Sequence, residues 1–235
     1  MRPLRLGTNG ALKERRLAQL VGEAGAPLAR LEPVVADAQV LGSLELAGFR
    51  FSWQQVRAGR AGEDAPAPIV RLQQAQRTLP HDSPLGVSAL REWHHAAIGG
   101  ASGFRTRELA REGGPPPAPA ALVQSRLEIL EQWLESQSGR ELQPAPAGAL
   151  VLARILEILP FEEGNGRIAR LAASHVMVRA GARPPVLVGA DHARLDEALL
   201  WAFQLETEPL AALLQEASER ALDVMIQTLE GGATL

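Results

Sequence analysis

Residues 147–159 (AGALVLARILEIL) are apolar on nearly every side of a helix and run into Pro160, which cannot continue it. A helix without a polar face has nothing to offer water, so it lies at the centre of a domain and its neighbours must cover it. The rest of the chain has to supply that coat. Residues 11–31 set Leu12, Leu17, Leu20 and Val21 on one stripe broken at Gly25-Ala26-Pro27, which predicts two short helices. A third is expected over 33–47, with Pro33 at its start and Val34, Ala38 and Leu41 inward. Residues 58–68 read as a linker. A helix begins near Ile69 and stops at Thr78-Leu79-Pro80, and another carries Leu90, Trp93, His94 and Ile98 up to Gly99-Gly100.

Residues 101–111 are the least helical stretch and read as a short extended flap, followed by the open connection at 113–117. An amphipathic helix is expected from about Pro119 to Gln137, a break at 143–146, and, beyond the buried helix, a further helix over about 166–180. Two more follow, one with Asp191 as N-cap reaching about Leu205, the other from Pro209 to about Leu229. The expectation is an all-α fold around the buried helix with a short β-hairpin flap. Its parts are residues 1–60 as N-terminal helices, 61–190 as the core, and 191–235 as helices packed on that core.

Composition removes several classes of function. No apolar run approaches the roughly 18 residues of a membrane span, so no membrane partner is expected. Zero cysteines exclude disulfides, thiolate metal sites and a cysteine nucleophile together. The net charge of -3 and the absence of a basic stripe argue against nucleic acid as a partner. The first five residues are followed by no apolar stretch of signal-peptide length, so a cytoplasmic location is expected. Lys13 is the only lysine among twenty-four Lys and Arg residues and Tyr is absent, a codon bias that makes arginine abundance uninformative.

Chemistry concentrates in the string Leu159-Pro160-Phe161-Glu162-Glu163-Gly164-Asn165-Gly166-Arg167-Ile168-Ala169-Arg170. Gly164, Asn165 and Gly166 can take left-handed backbone angles, so their N–H groups can converge on an anion at the mouth of a helix. Arg167 and Arg170 sit three apart on its first turn and offer guanidinium forks to phosphate oxygens. Glu163 could hold a magnesium ion bridging those phosphates. Together these residues describe a site for a nucleoside triphosphate with Mg²⁺. It is not a Walker loop, because the spacing differs and the lysine is missing. The bland alternative is a plain turn between two helices with both arginines solvated.

The string resembles the signature of the Fic domain family, His-Pro-Phe-x-Asp/Glu-Gly-Asn-Gly-Arg-x-x-Arg at the end of a buried helix, and is compatible at eleven of twelve positions. The resemblance extends over about residues 85–188. It implies a helical Fic-like fold and transfer of a nucleoside monophosphate, most often AMP from ATP, to a protein hydroxyl. It also implies that residues around Phe104, Arg105 and Thr106 form a flap that docks a target protein's extended segment; an ordinary surface loop is the alternative.

The departure is Leu159, which stands where the family has its general-base histidine. A leucine accepts no proton, and that assistance is worth on the order of a hundred- to ten-thousand-fold in rate, so the resemblance implies impaired transfer with binding retained. His94 and His95 read as packing residues, with replacement of the missing base as the alternative. His175 lies more than two turns from the bend, and His81 and His192 read as loop or cap positions. Residues 41–46 (LGSLEL) partly resemble the family's inhibitory helix, which implies an inhibitory role for Glu45 through an ion pair with Arg170. Three functions follow: an ATP-binding, catalytically impaired relative of protein adenylyltransferases, a non-enzymatic interaction or regulatory module, or an active transferase with a displaced base.

Overall fold

The computed structural model describes residues 8–25, 28–80, 82–100, 103–111 and 114–231. Among them the chain forms α1 (Thr8–Ala24), α2 (Glu32–Glu45), α3 (Trp53–Ala61), α4 (Ala67–Thr78), α5 (Val87–Ile98) and α6 (Val123–Glu135). Then follow α7 (Gln137–Glu141), α8 (Pro144–Ile158), α9 (Asn165–Arg179), α10 (His192–Ala202) and α11 (Glu208–Leu229). The central position belongs to α8, as its all-round apolar pattern requires: Ala149, Val151, Leu152 and Ile155 are fully buried. It packs on α6, α9, α10 and α11. The contact with α9 depends on a missing side chain. A Cβ on Gly148 would come within 2.6 Å of the Met177 side chain.

One large core holds α8 together with residues of α2 through α6 and α9 through α11. A smaller one joins Leu17 of α1, Val35 and Ala38 of α2, and Ala221, Leu222 and Met225 of α11. Side chains from residues 1–60, 61–190 and 191–235 therefore share core contacts. No helix among the described residues is long and apolar enough to cross a membrane.

Several expectations change. The 58–68 linker is partly helical, because α3 runs through Ala61 and α4 starts at Ala67. Ser52 and Gln55 form a reciprocal capping box that starts α3. Arg60 then pairs at 2.6 Å with buried Asp37, which also accepts from Gln73, tying α3 to α2 and α4. The buried helix starts earlier than expected, since Pro144 is tolerated in a first turn whose N–H groups need no helical partner. The N-terminal pair is one long helix and a single 3₁₀ turn at Leu28–Arg30. Asp191 stands at the N-cap position of α10 as expected, but its carboxylate makes no cap bond and instead accepts from the Val188 amide and Arg220. Among the described residues none is a β-strand, so they show no part of the expected hairpin, and 103–111 run as irregular chain. Ala101, Ser102, Glu112 and Gly113 of that segment, and His81, lie outside the described residues.

Candidate functional site

The C-terminus of α8 and the N-terminus of α9 meet across residues 159–164. Leu159 ends α8 in the left-handed conformation, φ 48 and ψ 68, where His, Asn and Asp are enriched and leucine is uncommon. The last carbonyls of any helix lack internal donors. Here two arginines from the 103–111 segment supply them. Arg105 donates from Nε to the Leu159 carbonyl at 2.6 Å and from Nη2 to those of Ile158 (3.2 Å) and Ala118, while its amide donates to the Pro160 carbonyl. Arg111 reaches the Leu156 carbonyl and stacks over Phe203 at 4.5 Å.

Phe161 is fully buried. The His94 ring stacks on it at 3.9 Å, and Phe104 packs beside it at 5.5 Å. Asn165 closes the bend with its side chain: Oδ1 accepts from the Phe161 amide at 2.9 Å and Nδ2 donates to the Phe161 carbonyl at 2.7 Å. Gly164 caps α9 with φ 76, and a Cβ there would lie 2.4 Å from Ile98. The bend is thus rigid and open together. The amides of Gly164, Asn165, Gly166 and Arg167 donate no hydrogen bond among the described residues, and the α9 dipole adds its positive end to them.

Arg167 and Arg170 increase that positive charge, and neither has a carboxylate within ion-pair distance among the described residues. Arg170 donates from Nε to Ser43 Oγ (2.9 Å) and from Nη2 to the Ser43 carbonyl (2.7 Å). These contacts set it against the last turn of α2, whose carbonyl end carries partial negative charge. Burial first, then the like charge of Arg167, push the Arg170 guanidinium down to about 9. Burial also lowers Arg167, with nearby Glu163 acting in the opposite sense. Behind Arg170 and Ser43 is a cavity of about 30 Å³ that Gln39 and Ser174 also line, room for a buried water.

The other sequence-predicted residues divide. Glu163 is exposed and near the α9 N-terminus. No group of three or more His, Asp or Glu capable of holding a metal occurs among the described residues, so a magnesium ion would need phosphate oxygens alongside Glu163, a donor set that this ion accepts. Glu45 does not pair with Arg170. Its carboxylate accepts from the Gly189 amide at 2.9 Å. The reason is helical geometry: at 3.6 residues per turn, Ser43 facing α9 turns Glu45 roughly 200° away.

The flap residues separate as well. Thr106 is exposed, Phe104 packs on Phe161, and Arg105 is 4% exposed and caps α8 rather than facing a partner. Exposed Arg107 pairs with Glu162 and ties the segment to the bend. His94 is 7% exposed, with Nε2 3.3 Å from the Glu163 carbonyl. A carbonyl only accepts, so Nε2 carries the proton and Nδ1 the lone pair. Nδ1 is buried without a partner, and burial lowers the pKa of this imidazole. His175 bonds the Ser83 carbonyl and meets Trp93 edge-on, far from the bend in role. Ser43 and Arg111 were not identified from sequence; nothing local to either marks its partner.

Residues 84–177 match the Fic/DOC family. The chain is similar to the Protein adenylyltransferase Fic of Drosophila virilis, 28% identical over 123 residues, 52% of this chain and 25% of that protein. It thus spans about a quarter of the length of the curated relatives it matches. Its fold is similar to that of a Fic domain containing signaling protein from Bacteroides thetaiotaomicron, at TM-score 0.77 and 22% identity over 97% of this chain and 100% of that one. Fic-1 from C. elegans superposes at TM-score 0.73 with 21% identity, covering 95% of this chain and 74% of that one.

Proposed function

Residues 84–177 form a Fic domain, and from that premise we propose that this chain binds a nucleoside triphosphate at the α9 N-terminus and is impaired in transferring it. The observation that carries the reading is the charge imbalance at the bend: among the described residues, helix-terminal amides that donate no hydrogen bond stand beside two arginines with no carboxylate in ion-pair distance. A site so built gains stability from an anion. Relatives named protein adenylyltransferases favour an adenine nucleotide, ATP, as the ligand and a protein as the acceptor. In this reading Gly164, Asn165 and Gly166 hold phosphate oxygens through their amides, Arg167 and Arg170 clamp them, and Glu163 holds Mg²⁺. The metal, when bound, would screen phosphate charge.

Impairment follows from Leu159, which offers no lone pair to an attacking hydroxyl. Displaced chemistry through His94 is not supported, since its unprotonated nitrogen is buried and its ring is held against Phe161. A target protein would approach the exposed edge of the 103–111 segment at Thr106, with Arg105 fixing that edge from within.

Calorimetric titration with ATP, with and without Mg²⁺, tests binding; magnesium-dependent binding is expected. Labelling from radiolabelled ATP tests the chemistry. We expect little for the natural chain and a rise on the order of a hundredfold or more for Leu159→His, whose left-handed backbone suits histidine better than leucine. No binding by the natural chain, with no labelling by the variant, overturns the reading.

A further inference from the structure

A second cavity, of about 430 Å³, lies beyond the bend, where α2, α4 and α5 pack beside the later turns of α9. Small-molecule sites have this size, roughly 300–1,000 Å³. Its apolar lining includes Leu79, Trp93, Val178 and Met225. Its charges cancel: Arg60 is paired with Asp37 at 2.6 Å and Arg183 with Glu14 at 2.9 Å, and exposed Arg77 and Glu32 balance each other. Nothing there calls for an ion. Two carboxamides and a hydroxyl remain, those of Gln39, Gln76 and Ser174, and all three also line the small cavity behind Arg170.

The hydrogen bonds already made fix which atoms are open. Gln39 donates from Nε2 to Ser174 Oγ at 2.9 Å and to the Pro185 carbonyl at 3.0 Å, and Gln76 donates from Nε2 to the Ala36 carbonyl at 3.3 Å. Carbonyls only accept, so both nitrogens are engaged and each Oε1 is left without a donor among the described residues. Unlike Gln73 Oε1, neither oxygen is sealed away from space that a partner can enter. Gln39 is held by two bonds, whereas Gln76, on one long bond, can turn toward a ligand. We propose that this cavity binds a neutral aromatic molecule carrying a hydrogen-bond donor, its ring among Trp93, Val178 and Met225 and its N–H on Gln76 Oε1. The indole of Trp93 and the thioether of Met225 both favour an aromatic body. A ligand without the donor forfeits the bond to an acceptor it has taken from water. This site stands whether or not the bend holds a triphosphate.

Indole and benzofuran serve as probes, since they differ at one position, an N–H against a ring oxygen that only accepts. Calorimetry and melting curves on the natural chain should show indole binding and raising the melting temperature, with benzofuran about tenfold weaker, the worth of one hydrogen bond. Gln76→Met keeps the length of the side chain and removes the acceptor, so indole affinity should fall to that of benzofuran. Val178→Phe fills the cavity without removing a hydrogen bond and should abolish binding of both probes. The proposal is overturned if neither probe binds the natural chain, if benzofuran binds as tightly as indole, or if indole keeps its affinity in Gln76→Met. Should Gln76→Met melt early, unchanged indole affinity in Val178→Phe with unchanged melting overturns it as well.

Discussion

Two helix ends face each other across residues 159–164, and both are met by arginines with opposite consequences. At the C-terminus of α8, Arg105 and Arg111 are turned inward and donate to carbonyls that the helix leaves unpaired. There the dipole is negative, the cation is favourable, and the guanidinium becomes part of the frame. At the N-terminus of α9, Arg167 and Arg170 stand where the dipole is positive and, among the described residues, have no carboxylate within ion-pair distance. Placing a cation there costs stability, which a bound anion would offset. The same side chain thus closes one end and opens the other, and the sign of the helix terminus decides which.

Arg105→Ala should break the closed end. It strips donors from the Leu159, Ile158 and Ala118 carbonyls, and at about 1–3 kcal/mol for each unsatisfied buried group the unfolding free energy should fall by about 3 kcal/mol or more in urea. Arg170→Met sharpens the contrast. It removes a half-buried cation that lacks a counter-ion but also strands the Ser43 hydroxyl and carbonyl, so stability should fall by about 1–2 kcal/mol, less than for Arg105→Ala, while triphosphate affinity falls roughly tenfold or more. Equal destabilisation by the two variants would erase the distinction between the ends.

The smallest effect concerns His94, whose pKa burial lowers below the usual imidazole value of about 6.5. In the window between that value and the folded one, the unfolded chain binds a proton that the folded chain does not, so stability rises with pH there. Denaturation midpoints should therefore drop as pH falls from about 7 toward 5, with a shallower slope for His94→Gln. An unchanged slope would mean that the ring takes up its proton beside Phe161 without cost.

Much of the frame was legible because local pattern sets it. The apolar run of α8, its stop at Pro160, and the glycine bend before α9 need no tertiary information. α3 was not legible: Ala58, Gly59 and Gly62 read as a loop, and what makes the helix is a cap at Ser52 together with buried Val56 and the Arg60–Asp37 pair. The bend's residues were legible as a group. Their partners were not, and Glu45 shows why: the type of residue was right for an ion pair, but its angle on α2 sends it to Gly189.

By itself, then, the order of amino acids determined a buried helix, a sharp bend, and a second helix whose first turn carries two arginines. Only the folded chain decided which cations cap helix carbonyls and which are left without a carboxylate in ion-pair distance among the described residues. Arg105 meets the Leu159 carbonyl 54 positions away, and Arg170 meets Ser43 across 127. A side chain's charge is written locally, but the group that neutralises it is delivered by the packing of distant segments.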